Sequence, residues 1–106
     1  MSRTVLSEEA LQEALSTLPH WTGDTHGLRR VLRFESYEAG VAFAMHVALL
    51  AQRMDHHPDL LIAWQRVEVS YVTHDAGGVT RRDIEAARSV DAIAARDAAN
   101  IDGAPE

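Results

Sequence analysis

The chain has 106 residues, no cysteine and a formal net charge of -6, which fits a single domain and excludes disulfide frameworks and thiolate chemistry. The acidic balance opposes binding to nucleic acid, whose phosphate backbone requires a positive field, so we expect no nucleic-acid partner. No stretch has the length and apolar character of a signal peptide or a bilayer span, so we expect a cytoplasmic protein without a membrane partner.

The first third of the chain predicts a short amphipathic helix followed by two strands. Ser7 can cap a helix over residues 8–17, in which apolar residues recur at helical spacing until a proline follows. The turn-forming run at residues 23–27 separates two candidate strands, at 21–22 and 28–34. This pattern is typical of an antiparallel hairpin with one face buried.

Three arginines lie close together in the second of these strands. Arg29 and Arg33 share one face of the strand, whereas Leu28 and Phe34 share the other. Arg30 interrupts this alternation. Because acidic residues follow the strand directly, we interpret the arginines as a solvated strand face rather than a binding patch.

A second helix is predicted from residue 37 to about residue 54. Ser36 can cap it, and the segment is rich in good helix formers without an internal breaker. Its wide apolar stripe indicates a helix buried against a sheet, with some surface left for another subunit. Pro58 forces the helix to end, so His56 and His57 lie at its last turn or just beyond it.

The middle of the chain predicts a second hairpin. Residues 60–64 form a short apolar strand, and apolar and polar residues alternate from 67 to 72 in the clearest strand signal of the sequence. Gln65 and Arg66 between them fit a two-residue turn. That turn has no glycine, which leaves its geometry open.

A third helix completes the order of elements. Thr80 and Asp83 resemble a capping box that begins a helix at residues 81–96. The order α-β-β-α-β-β-α predicts a two-layer α+β fold, in which one four-stranded antiparallel sheet carries helices on one face. We assign residues 1–99 to this domain and 100–106 to a flexible tail. The short sheet has edges that favour self-association, so we expect a homodimer or homotetramer.

His56, His57 and His74 are the candidate catalytic residues. Imidazole titrates near neutral pH and can both give and accept a proton, which suits acid–base chemistry. A structural role at a helix end, where the helix dipole favours histidine, is one alternative. A metal triad is another, but adjacent helical side chains diverge by about 100 degrees and no well-spaced further ligand completes it, so we expect no metal.

The spacing around these histidines resembles a family signature. Two histidines and a proline are followed after five residues by Trp64, after nine more by His74 and after eight more by Asp83. This is similar to the pterin-4a-carbinolamine dehydratases, and the similarity extends over residues 6–95. The resemblance implies a hydro-lyase that eliminates water from 4a-hydroxytetrahydrobiopterin to give quinonoid dihydropterin in tetrahydropterin recycling. It also implies that pterin is the substrate and that no cofactor is needed.

The resemblance further implies roles for individual residues. His56, His57 and His74 would surround the pterin ring, with His57 and His74 as candidates for protonating the departing hydroxyl and His56 for taking the proton from nitrogen. The implied substrate-binding residues are Pro58, Thr73, Asp75, Trp64, Asp83 and Gln52. Asp83 has two interpretations, as a helix cap or as the group that orients His74. Trp64 likewise belongs either to the core or to a stacking platform.

Two departures from the family pattern leave a second function open. Gln52 occupies a place where the family usually has an acidic or otherwise ionisable residue, and Ile62 replaces a frequent asparagine. A glutamine forms hydrogen bonds but can neither buffer a proton nor favour a protonated imidazole by charge. The alternative is therefore a non-catalytic pterin-binding or protein-dimerising module. His20, His26 and His46 lie outside the signature and receive no role.

Overall fold

The computed structural model describes residues 4–97 and 101–102, and it has the order of elements that the sequence predicts. The helices of this described part are α1 (Glu8–Leu15), α2 (Tyr37–Met54) and α3 (Arg81–Arg96), and its strands are β1 (Thr22–Asp24), β2 (Gly27–Phe34), β3 (Asp59–Ala63), β4 (Arg66–Tyr71) and β5 (Ile101–Asp102). A short 3-10 turn, His74–Ala76, lies between β4 and α3. The predicted bounds of the three helices and of β1 to β4 agree with these to within two residues.

The strands form one antiparallel sheet in the order β1-β2-β4-β3, which confirms the four-stranded sheet expected from the sequence. The fifth strand extends it. β1 pairs with the start of β2, and Ile101 of β5 pairs with Phe34 at the end of β2, on the stretch that β1 leaves open. The sequence had suggested a flexible tail from residue 100 onward. Of that tail, residues 100 and 103–106 lie outside the described residues.

The helices cover one face of the sheet, as predicted. α2 packs against β2, β3 and β4, while α3 packs against α2 and β4. The side chains that alternate along β2 and β4 meet the inner faces of these helices in one core. Its largest members include Leu28, Phe34, Phe43, Val47, Val67, Val69 and Val90. Within the described ranges, no helix is long and apolar enough to cross a membrane.

Arg30 is the exception to the predicted arginine face. Its side chain points into the helix-covered side of the sheet and is buried, and its Nη1 atom donates to Asp91 Oδ1 of α3 at 2.6 Å. Trp21 Nε1 donates to the same oxygen at 2.8 Å. Buried and exposed residues therefore alternate along the whole of β2. A guanidinium that is paired with a carboxylate can occupy an inward position where an apolar residue is expected. Arg29 and Arg33 are exposed, as predicted.

The end of α2 confirms the predicted position of the paired histidines. Ser36 caps the start of the helix by accepting from the Ala39 N–H at 3.1 Å. At the other end Asp55 adopts a left-handed conformation with φ 53, and the His56 N–H donates to Ala51 O at 3.2 Å. His56 thus follows the last helical turn directly.

The β3–β4 turn is shifted by one residue from its prediction. Trp64 and Gln65 form it instead of Gln65 and Arg66, and Gln65 adopts a left-handed φ of 61. Trp64 was predicted to lie on the strand, but it stands at the tip of the hairpin and is 75% exposed. It contributes to neither the strand nor the core.

Candidate active site

His56 is buried against the first turn of α3. Only 8% of the residue is exposed. Its Nε2 atom lies 2.6 Å from Asp83 Oδ1, and since a carboxylate oxygen accepts, the imidazole donates this hydrogen bond. The segment that follows α2 is therefore bound to α3 through a side chain of each.

Asp83 is the centre of a buried hydrogen-bond network. Its Oδ2 atom accepts from the Thr73 hydroxyl at 2.8 Å and from the Thr80 N–H at 2.9 Å. Because the Thr73 hydroxyl donates its hydrogen bond to Asp83, the hydrogen bond between the two threonines is donated by the Thr80 hydroxyl to Thr73 Oγ1, at 2.8 Å. The carboxylate thus accepts from three donors, which are the His56 ring, the Thr73 hydroxyl and the Thr80 N–H. These hydrogen bonds offset the cost of burying its charge.

The two interpretations of Asp83 turn out to coexist, with one change of partner. Asp83 completes the capping box with Thr80 at the start of α3. It also orients an imidazole, but the ring it holds is that of His56 rather than the predicted His74. Since Asp83 is fully buried, it can act on a substrate only through the groups that it positions.

Tyr71 packs against the His56 ring. The two ring centroids are 5.5 Å apart and the planes are inclined by 16°, while the Trp21 ring lies 6.3 Å from Tyr71. Burial, together with the negative charge of Asp83, raises the pKa of Tyr71 to about 12. Tyr71 is therefore neutral at physiological pH and restrains His56 by packing.

His57 and His74 line one cleft at an end of the sheet, and both are exposed. The cleft has a volume of about 400 Å³, which lies in the range of small-molecule sites. Asp59, Ser70 and Arg29 form a cross-strand row along its wall, on the face of the sheet opposite the helices. Two groups that can transfer protons therefore share one space, whereas His56 lies behind it.

A closed loop between β4 and α3 carries His74. The Thr73 N–H donates to Gly78 O at 3.1 Å, and the Gly78 N–H donates back to Thr73 O at 3.4 Å. Gly77 closes the intervening turn with a left-handed φ of 82, which glycine adopts without strain. Because the Thr73 hydroxyl is bound to Asp83, the loop fixes His74 relative to the buried network.

Gln52 contacts the other exposed imidazole. His57 Nε2 lies 3.2 Å from Gln52 Oε1, and the amide oxygen accepts, so His57 donates through Nε2. In a neutral ring the lone pair is then on Nδ1. The position that departs from the family pattern is thus directly beside a candidate catalytic group.

The other predicted substrate-binding residues differ in their exposure and in their distance from the cleft. Thr73 is buried and its hydroxyl is bound to Asp83, so it supports His74 instead of facing the cleft. Pro58 is half-buried between His57 and β3, and Asp75 is exposed beside His74. Trp64 stands at the opposite end of β3, roughly 16 Å of extended chain from the cleft, and the structure does not bring it to the site.

The sequence did not indicate the contribution of the β1–β2 hairpin to this cleft. Asp24, His26 and Arg29 line it, with Asp59 and Tyr71 from the second hairpin. The turn-forming residues predict that a hairpin exists, but its place beside His74 depends on the pairing of β2 with β4. That pairing is a long-range contact that no local pattern encodes.

A second cleft, of about 450 Å³, lies between α1 and α3 and is lined by Leu6, Arg81 and Arg88 among others. No histidine lines it, so we place the candidate site at the cleft that holds His57 and His74. Among the described side chains, no group of three or more histidine, aspartate or glutamate residues could hold a metal ion.

The fold and the site together define a class of protein, a small α+β domain with paired exposed imidazoles in an open cleft, supported by a buried histidine–carboxylate pair. Comparison with known families gives the class its name. Residues 4–93 match the family model described as pterin 4 alpha carbinolamine dehydratase. The chain therefore belongs to the pterin-4a-carbinolamine dehydratase family.

Individual relatives agree with this assignment. A protein of Nocardia farcinica that carries the family's name is 42% identical over 94 residues, covering 89% of this chain and 99% of the relative. One from Roseiflexus sp. is 39% identical, covering 85% and 97%. The crystal structure of the transcriptional coactivator/pterin dehydratase of Brucella melitensis matches with a TM-score of 0.79 at 36% identity, covering 84% of this chain and 97% of that one.

Proposed function

We propose that the protein is a hydro-lyase that dehydrates 4a-hydroxytetrahydropterins, and that His57 and His74 are its acid–base pair. The observation that carries this proposal is that these two imidazoles are exposed in one cleft of about 400 Å³. Imidazole is suited to both halves of the reaction because it titrates near neutral pH. The family membership of the chain supports the pterin as substrate.

The reaction requires one proton donor and one proton acceptor. The bond from carbon 4a to its hydroxyl breaks, and the hydroxyl leaves as water with a proton from the acid. The base takes the proton on nitrogen 5, and the double bond between carbon 4a and nitrogen 5 forms. Holding both groups and the flat ring in one cleft supplies the orientation that this elimination needs.

The hydrogen bond of His57 to Gln52 supports a division of these roles. With Nε2–H donating to Gln52, a neutral His57 has its lone pair on Nδ1, which makes it the base in our proposal. His74, on its closed loop, would then protonate the departing hydroxyl. His56 is buried and bound to Asp83, so we propose that it positions the site instead of acting as the base implied by the family resemblance.

Turnover tests the proposal directly. Purified protein is added to enzymatically generated 4a-hydroxytetrahydropterin, and the absorbance of quinonoid dihydropterin is followed. We expect acceleration over the spontaneous reaction, and a loss of about 10² to 10⁴ in kcat for His57→Ala and for His74→Ala. His46→Ala is the matched control, since His46 is an exposed histidine of α2 outside the cleft. A wild-type rate equal to the spontaneous rate refutes the proposal.

Gln52 favours a second candidate, a module that binds pterin or another protein without catalysing the dehydration. The combined name of the Brucella melitensis structure, transcriptional coactivator/pterin dehydratase, supports retaining this candidate. A carboxylate at position 52 would stabilise protonated His57 by charge, which the amide cannot do.

The substitution Gln52→Glu separates the two candidates. We expect the new carboxylate to favour the protonated form of the neighbouring His57 by charge. If turnover also rises strongly, catalysis is relaxed in the natural chain and the module is favoured. Unchanged turnover makes Gln52 an accepted variant of an active enzyme.

A further inference from the structure

The loop that carries His74 ends in two buried residues, Gly78 and Val79, that contact distant parts of the chain. The Val79 N–H donates to Thr25 O in the β1–β2 turn at 2.9 Å. Val79 O accepts from the Leu6 N–H, also at 2.9 Å. Both backbone groups of Val79 are therefore bound, one by the hairpin turn and the other by the segment that precedes α1.

The space around Gly78 is too small for a side chain. A Cβ atom at this position would lie 2.7 Å from Thr25 O and 3.0 Å from Cγ1 of Val5. Unlike Gly77, Gly78 does not have a left-handed φ, so its backbone conformation is open to other residues. Only the close approach of the two neighbouring segments excludes them. The loop therefore contacts the hairpin turn and Val5 at the same residue.

These contacts fix the position of His74. The start of its loop is held by the hydrogen bond of the Thr73 hydroxyl to Asp83 at 2.8 Å. Two backbone hydrogen bonds between Thr73 and Gly78 tie the start of the loop to its end. A shift of either end therefore moves His74 relative to His57, which follows α2 and is not part of the loop.

We propose that the segment before α1 positions His74 in the cleft, because Val5 and Leu6 hold Gly78 and Val79 against the β1–β2 turn. The inference rests on the proposed function for its effect on rate, since His74 is the acid there. Neither Val5 nor Leu6 lines the cleft, so both act only through the loop. Displacing a reacting group by about 1 Å can lower a rate about 10²-fold, so a small shift of the loop is sufficient.

Substitutions of Val5 test the contact without adding an atom to the loop. Val5→Ala removes the two methyl groups beside Gly78, and we expect kcat to fall about threefold to tenfold while KM stays within about twofold. Val5→Ile keeps both Cγ atoms and should restore the wild-type kcat. Val31→Ala is the matched control, because Val31 is 38% exposed on the outer face of the sheet and Val5 is 36% exposed.

Gly78→Ala tests the same contact from the side of the loop. The added methyl group would be too close to Thr25 O, so the loop has to shift, and we expect kcat to fall about 10-fold to 100-fold. Urea unfolding shows whether this variant is folded under the assay conditions. If it is not, the Val5 variants decide the question.

NMR tests the position of His74 without turnover. In Val5→Ala and in folded Gly78→Ala, the proton signals of the His74 ring should shift. Those of His46, an exposed histidine of α2 outside the cleft, should not. Unchanged His74 signals, an unchanged kcat in Val5→Ala, or a Val5→Ile protein as slow as Val5→Ala would overturn the inference and leave the proposed function intact. If wild type shows no turnover, the proposed function falls, and the His74 signals alone then decide the inference.

Discussion

Tyr71 has a buried hydroxyl that finds no hydrogen-bond partner among the described residues. Buried polar atoms are nearly always satisfied, since leaving one unpaired costs about 1 to 3 kcal/mol. At this position the ring contributes by packing against His56 and Trp21, so the aromatic surface is used while the hydroxyl is not. The unpaired hydroxyl therefore lowers the stability of the fold at the residue whose ring packs against His56.

The substitution Tyr71→Phe should leave stability unchanged or raise it by about 1 to 3 kcal/mol at neutral pH, measured by urea unfolding, because it removes the unpaired hydroxyl. Its effect on the pH dependence should be larger. The pKa of Tyr71 is raised to about 12, so below about pH 10 both the folded and the unfolded chain keep this proton. Between about pH 10 and 12 only the unfolded chain ionises, and wild type should lose about 3 kcal/mol that Tyr71→Phe retains.

Tyr37→Phe is the control for that experiment, since Tyr37 is an exposed tyrosine of α2. It should follow the wild-type dependence on pH. A Tyr71→Phe protein that loses stability between pH 10 and 12 as steeply as wild type would contradict the assignment of the raised pKa to Tyr71.

Two adjacent histidines show how far single residues could be predicted. The helix-ending signal of Pro58 is local, so the sequence correctly places His56 and His57 just after α2. Their different environments are not local. The partner of His56 is Asp83, 27 residues away, whereas that of His57 is Gln52, five residues back in the last turn of α2. Only the tertiary contacts decide which imidazole is buried.

At the level of elements, the start of α3 holds the end of α2. Asp83 binds the side chain of His56, and Arg82 Nη2 donates to the backbone oxygen of Asp55 at 2.7 Å. The second contact caps a carbonyl that the end of a helix leaves without an intrahelical partner. Two neighbouring residues of one helix thereby fix both the backbone and a side chain of the segment that carries the histidines.

Asp83→Asn should weaken this connection. The amide cannot accept from three donors with a full negative charge, so we expect a loss of about 3 kcal/mol in the free energy of unfolding, measured with urea. If Asp83 positions His56 for the site, kcat should fall while KM changes little, and the shape of the pH profile should change. Glu85→Gln, an exposed carboxylate of the same helix, should leave all of these unchanged. A fall in apparent kcat that only follows the loss of folded protein, with KM and the shape of the pH profile unchanged, would indicate a merely structural role.

The elements themselves were largely predictable because their signals are short-range. The Thr80 and Asp83 capping box and the alternation of β4 are both readable in a few residues, and both are confirmed. The inward position of Arg30 was not, because its partner Asp91 lies 61 residues away. The sequence also did not predict that the β1–β2 hairpin lines the cleft, because this depends on the long-range pairing of β2 with β4.

At the level of the whole molecule, α2 presents an exposed apolar stripe. Tyr37, Met45 and Leu49 are each more than half exposed and lie four or eight residues apart, on one side of the helix. The stripe lies on a helix whose other side is buried in the core. It supports our expectation that the chain forms a homodimer or homotetramer, with this stripe in a subunit contact.

Sedimentation velocity tests this expectation. The wild-type protein should sediment as a dimer or tetramer at micromolar concentration, and Leu49→Glu should shift it to a smaller species by burying a charge in the contact. Val31→Glu is the control, as Val31 is an exposed apolar residue on the outer face of the sheet. A monomeric wild type, or an unchanged Leu49→Glu oligomer, would contradict the prediction.

The contacts of Arg82 and Asp83 join two segments, 27 residues apart, into one cooperative unit. Amide protons at the end of α2 and at the start of α3 should therefore exchange with solvent at matching rates, through a common opening event. Such coupling means that the segment with His56 and His57 does not open independently of α3. The imidazoles would then be held in a geometry ready for a ligand, and association would require little ordering.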